Sequence, residues 1–123
     1  LNPASVSEYL AFGEYGYALS RYSGMWVGFK AISETVESGA SVELQPDRIF
    51  NTPDFTPPPG GLHYRWPDLP GPQIEQRLVA KKKAVQAFAA ANPIDRHVYE
   101  LDHASYGIVT TGKGHLDLME ALR

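Results

Sequence analysis

The sequence predicts an α/β fold interrupted by a proline-rich connector. Three observations carry that prediction. Met25–Ile32 (MWVGFKAI) is a short apolar run rich in aromatic and β-branched residues, the composition of a buried parallel strand. Tyr106–Thr111 (YGIVTT) is a second such run, and it leads through Gly112-Lys113-Gly114 into a helical pattern, the opening of a βαβ unit. Between the two, seven of the ten prolines fall from Pro53 to Pro72.

The first element is a helix within Leu1–Gly24. Pro3 suits the first helical position with Asn2 as its cap. Ser5-x-x-Glu8 is a capping box that places the start two residues later. Val6, Leu10, Gly13 and Tyr17 share one face. Gly13 and Gly16 each cost a helix about 1 kcal/mol against Ala, which close packing against another element explains. Ser23-Gly24 ends the helix. For Met25–Ile32 periodicity alone fits a helix as well as a strand, and composition favours the strand. Ser33–Gly39 is the loop after it. Ser41–Gln45 alternates Val42 and Leu44 with Ser41, Glu43 and Gln45, a half-buried strand pattern.

Thr52–Gln73 (TPDFTPPPGGLHYRWPDLPGPQ) admits neither a long helix nor a central strand, because proline lacks a donor and forces its predecessor to be extended. Phe55, Leu62, Tyr64, Trp66 and Leu69 set it apart from a solvated linker. The expectation is a strap pinned against a surface, partly in polyproline II form. The alternative is a ligand for an SH3- or WW-type domain, for which Pro57-Pro58-Pro59 supplies little specificity. The organisation is therefore 1–51, connector 52–73, and 74–123.

Ile74–Ala91 is the clearest helix, with Ile74, Leu78, Val85 and Phe88 as its apolar stripe and Asn92-Pro93 as its stop. Lys81 falls near the middle of that stripe; the bland explanation is a stem laid on the core with its ammonium in water, and the alternative is a buried contact with a partner or ligand outside the chain. Asp95–Asp102 fits a strand. His115–Arg123 begins a helix with Leu116, Met119 and Leu122 facing inward. No return strand follows it, and the chain starts on Leu rather than Met. Both features point to a piece of a longer protein.

Candidate chemistry is sparse. Gly107–Gly114 nearly matches a phosphate-binding loop, but Gly114 removes the hydroxyl that would hold Mg²⁺. Moreover, Ile108-Val109-Thr110-Thr111 belongs to the strand rather than to the loop. His63, His97, His103 and His115 show no metal-ligand spacing. Glu34 and Glu37 follow the carboxyl end of the first predicted strand, where open α/β sheets place ligands, although loop carboxylates are usually only solvated. Lys81-Lys82-Lys83 spreads round its helix as a solvated face.

Composition excludes several classes. At 123 residues, 43% hydrophobic, 20% charged and net charge −3, the chain is an ordinary globular domain by composition, with no broad basic footprint for nucleic acid. No apolar run approaches the ~20 residues of a membrane helix. The absence of cysteine removes disulfides, thiolate zinc and iron–sulfur ligation.

Four blocks carry a resemblance. LNPASVSEYLAFG (1–13), ALSRYSGMWVGFKAISETVESGASVELQPD (18–47), PPGGLHYRWPD (58–68) and GIVTTGKGHLD (107–117) together closely resemble indolepyruvate ferredoxin oxidoreductase in its long fused bacterial form, in order and over essentially the whole chain. That family is cytoplasmic and thiamine-diphosphate-dependent. The resemblance implies a parent that oxidatively decarboxylates aryl pyruvates, with coenzyme A accepting the acyl group and ferredoxin the electrons. It implies that 1–51 is the end of a pyrimidine-binding, three-layer domain with Met25–Ile32 a late parallel strand. It implies that 74–123 is a linker helix and the first strand–helix of a Rossmann-like domain. It places the family's glutamate upstream of Leu1 and its diphosphate–Mg²⁺ motif downstream of Arg123. Its 4Fe-4S clusters need cysteines that this chain lacks. No catalytic, cofactor-binding or metal-binding residue is thus expected here. The expected partners are the remainder of the parent and, through exposed sheet edges, other copies. Met25 stands where the family commonly has cysteine, at a position read as core.

Overall fold

A computed structural model describes residues 1–123. It contains α1 (Val6–Ser23), α2 (Ser33–Val36), a 3-10 turn (Trp66–Asp68), α3 (Gln73–Ala91) and α4 (Lys113–Ala121). No β-strand is present, and α1 and α3 pack on one another.

The ends of α1 follow local chemistry. Ser5 is the N-cap, its Oγ accepting from the Glu8 N–H at 3.4 Å, while the Glu8 carboxylate accepts from the Ala4 N–H at 2.7 Å. Pro3 lies buried ahead of the helix rather than at its first position. Gly24 closes α1 in the left-handed conformation at φ 70°, and its N–H reaches the Ser20 carbonyl at 2.9 Å. A Cβ there would stand 2.9 Å from the Leu62 carbonyl oxygen, so Gly24 also lets the proline-rich segment pass close by.

The core sits between α1 and α3. Tyr15, Leu19 and Phe88 are its buried centre, with Leu1, Tyr22, Val27, Phe50, Val85 and Ile94 packed round them. The Phe88 ring lies 5.5 Å from Tyr15, 5.4 Å from Tyr22 and 6.1 Å from Phe50, edge-to-face or tilted. Gly16 explains its own cost: a Cβ there would meet Leu1 and Val27 side chains at 3.2 and 3.3 Å. Burial pushes the Tyr15 phenol above its ordinary value of 10.0, and the Asp95 carboxylate adds to the shift. The folded state therefore holds that proton more tightly than the unfolded chain. Stability is complete below pH 10.0 and falls as pH rises beyond it. Denaturant titrations on either side of that pH should show this loss, and Tyr15→Phe should lessen it. An equally steep loss in the variant would remove Tyr15 as the cause.

The α/β prediction is overturned. Met25–Ile32, Ser41–Gln45, Asp95–Asp102 and Tyr106–Thr111 form no strand, and neither the three-layer domain end nor the Rossmann-like strand–helix is present. The physical reason is the lack of neighbours. Val27 packs on α1 and Phe29 lies 5.5 Å from Tyr9, but the only inter-segment main-chain bonds to this run come from Leu1. The Leu1 amino group donates to the Gly28 carbonyl at 2.7 Å, and the Lys30 N–H donates to the Leu1 carbonyl at 2.8 Å. Trp26 is 98% exposed, as is Val109 in the second run. Aromatic and β-branched composition favours a pleated surface only where another strand supplies the surface.

Smaller corrections follow from packing. Leu10 and Tyr17 point to solvent, because the face of α1 turned to α3 is that of Tyr15, Leu19 and Tyr22. Leu116 and Leu122 are exposed, and α4 buries no residue. Of the α3 stripe, Phe88 is buried, Leu78 and Val85 are half-buried and Ile74 is exposed, while Lys81 is half-buried without an ion pair.

Candidate functional site

The best-organised part of the molecule is the proline-rich strap and the way α3 holds it. Two contacts tie it to opposite ends of α3. At the carboxyl end, Asn92 pairs with the main chain of Asn51. Its Oδ1 accepts from the Asn51 N–H at 2.7 Å, and its amide donates to the Asn51 carbonyl at 2.8 Å and the Phe88 carbonyl at 3.0 Å. The Asn51 side chain donates to the Ala91 carbonyl at 3.1 Å. At the amino end, Arg77 Nε donates to Asp68 Oδ2 at 2.7 Å, and Arg77 Nη1 donates to the Gly61 carbonyl. Both side chains of this ion pair are about nine-tenths buried, at 10% and 9% exposure.

Arg77 and Asn92 are fifteen residues apart, about 22 Å along a helix. The strap runs antiparallel to α3 over that distance. Phe55, Thr56, Pro57 and Pro58 face Gln76, Val79, Ala80 and Lys83 across a shallow groove. Tyr22 of α1 donates its hydroxyl to the Pro53 carbonyl at 2.9 Å, and burial, with Asp54 second, pushes that phenol above its usual value. Gly60 and Gly61 take φ of 84° and 78°, turning the strap so that Leu62 is buried and the 3-10 turn presents Asp68 to Arg77. The pinned strap that the sequence predicts is present. Leu62 and Phe55 do the pinning, whereas Trp66 and Tyr64 are exposed.

A second feature is an open groove of about 450 Å³ between α1 and the strap's approach. Glu14, Tyr17, Ala18 and Arg21 form its floor, and Asp47, Arg48 and Phe50 its wall. The Arg48 guanidinium sits 5.5 Å over the Phe50 ring. None of these four charged groups has an ion-pair partner within the chain.

The residues singled out from sequence do not converge. Glu34 and Glu37 are exposed on and beside α2. Glu34 lies near Lys113, whose ammonium is raised chiefly by its hydrogen bond to Asp117 at 2.6 Å. His63, His97 and His103 are exposed, and His97 lies 3.4 Å from Glu100. His115 Nδ1 lies 3.3 Å from Thr110 Oγ1. Gly112 takes φ 58° and is packed against Asn2, so its glycine answers a steric need. No three His, Cys, Asp or Glu side chains group to hold a metal ion, and no cysteine is available for a cluster. No helix is long and apolar enough to cross a membrane.

Asp68, Arg77, Asn51 and Asn92 carry the strap; sequence reasoning marked Asn92 only as a helix stop and passed over the other three. One signal was available: Asp68 and Arg77 flank the last Pro-Gly-Pro, so an acid and a base face each other across the entry to a helix. No protein-family model, no curated protein and no solved structure matches the chain.

Proposed function

We propose that this chain is a structural segment of an oxidoreductase that decarboxylates indolepyruvate or a related aryl pyruvate with coenzyme A and ferredoxin, working in the cytoplasm. The four-block resemblance is the observation that carries the reading. Its most distinctive block, PPGGLHYRWPD, spans the strap residues that Arg77 holds, so the resemblance falls on residues with a mechanical task. The accessible surface supports a segment that other protein surface completes. It measures 9607 Å², where a monomer of 13.6 kDa ordinarily presents about 6,600 Å².

On this reading the chain contributes architecture: two packed helices and a strap that fixes the path of the polypeptide between them. Thiamine diphosphate, Mg²⁺ and 4Fe-4S clusters belong to the rest of the parent. The isolated chain is expected to bind no thiamine diphosphate by calorimetry and to reduce no viologen with indolepyruvate and coenzyme A. Cofactor binding with turnover by the chain alone would overturn the structural role.

A further inference from the structure

Surface outside the strap remains unassigned, and it includes the floor of the α1 groove. Glu14, Tyr17, Ala18 and Arg21 recur at the spacing of one helical face along the flank of α1, where Ala18 also touches the core cluster. Tyr17 projects from it at 75% exposure. Beside it Ala18 leaves a hollow, walled by Phe50 and the Arg48 guanidinium. An aromatic knob thus stands next to a hollow. Glu14 and Arg21 lie two turns apart, about 10.5 Å, on either side of the knob and hole.

This pattern is self-complementary. When two α1 helices cross antiparallel about a two-fold axis between Tyr17 and Ala18, each Tyr17 meets the other copy's Ala18. Each Glu14 then meets the other copy's Arg21, so both charges gain the partners they lack within one chain. An isologous contact demands that one patch satisfy itself in this way. A second copy fits better than an unrelated anion, because the groove carries two carboxylates against its two guanidiniums and so has no net charge to offer.

We infer that α1 is a homodimerisation surface, with Tyr17 docking over Ala18 and Glu14 pairing with Arg21 across the two-fold. The inference is independent of the oxidoreductase reading, since it is tested on the chain without cofactor or substrate. The test is sedimentation velocity of the 123-residue chain over a concentration series reaching about 100 μM. A dimer is expected, and Tyr17→Ala, Glu14→Arg and Arg21→Glu should each raise its dissociation constant at least about tenfold. The double variant Glu14→Arg/Arg21→Glu should return it to within about threefold of the parent chain. These side chains have no partners within the chain, so unchanged far-UV circular dichroism is expected in all four variants. A chain that stays monomeric throughout, a dimer indifferent to Glu14→Arg, or a charge swap that fails to restore association would each overturn the inference.

Discussion

Phe88→Ala is expected to abolish the cooperative thermal unfolding of the chain. Phe88 is 2% exposed and its ring touches Tyr15, Tyr22 and Phe50, which come from α1 and from the approach to the strap. Removing a buried aromatic side chain costs about 3–5 kcal/mol, because the cavity only partly collapses. Ordinary domains have about 5–15 kcal/mol in all, and the aromatic core cluster has only three buried members. Loss of Phe88 therefore removes the junction between α1, α3 and the strap together. Phe88→Leu keeps most of the volume and should retain a transition. A Phe88→Ala protein that melts as the parent does would show that α1 and α3 are held by something other than this cluster.

The second large effect is expected at Arg77. Arg77→Met leaves the Asp68 carboxylate and the Gly61 carbonyl without their donor in a site that water scarcely reaches. Breaking one side of such a pair costs about 3 kcal/mol or more. The loss should be local at first, freeing the strap from Gly61 to Asp68 while the aromatic cluster persists. Limited trypsin digestion reads this directly, because Arg65 lies inside the released stretch and is half-buried in the parent. Cleavage after Arg65 should become the first cut in Arg77→Met. The double variant Arg77→Met/Asp68→Leu should restore most of the resistance, since apolar replacement of a whole buried pair is often nearly neutral. Unchanged cleavage in the single variant would deny the pair its clamping role.

What the sequence made legible was whatever depends on local chemistry. Ser5 and Glu8 mark the start of α1, Gly24 its end, and Asn92-Pro93 the end of α3, because caps and breakers act within one turn. The strap was legible for the same reason, since proline restricts its own residue and the one before it. The failures all concern relations between distant residues. MWVGFKAI and YGIVTT have strand composition, yet a strand exists only when another pairs with it, and that partner is not written in the run itself. The clamp was invisible because Asp68 and Arg77 look like ordinary surface charges until Gly60 and Gly61 turn the strap back onto α3. On α1 the periodicity was correct, but Leu10 and Tyr17 fit an apolar stripe as well as Tyr15 and Leu19 do. Only the position of α3 decides which stripe is covered.

An exchange experiment asks whether these residues act as an architectural segment of an indolepyruvate-oxidising enzyme: the chain replaces the corresponding segment of a long fused bacterial indolepyruvate ferredoxin oxidoreductase. Reduction of viologen, dependent on indolepyruvate and coenzyme A, is then measured in the hybrid. Retained turnover is the predicted result, with Arg77→Met in the hybrid lowering it and Arg77→Met/Asp68→Leu recovering it. A soluble hybrid that carries its full complement of thiamine diphosphate and iron, yet turns over no indolepyruvate, would contradict the claim.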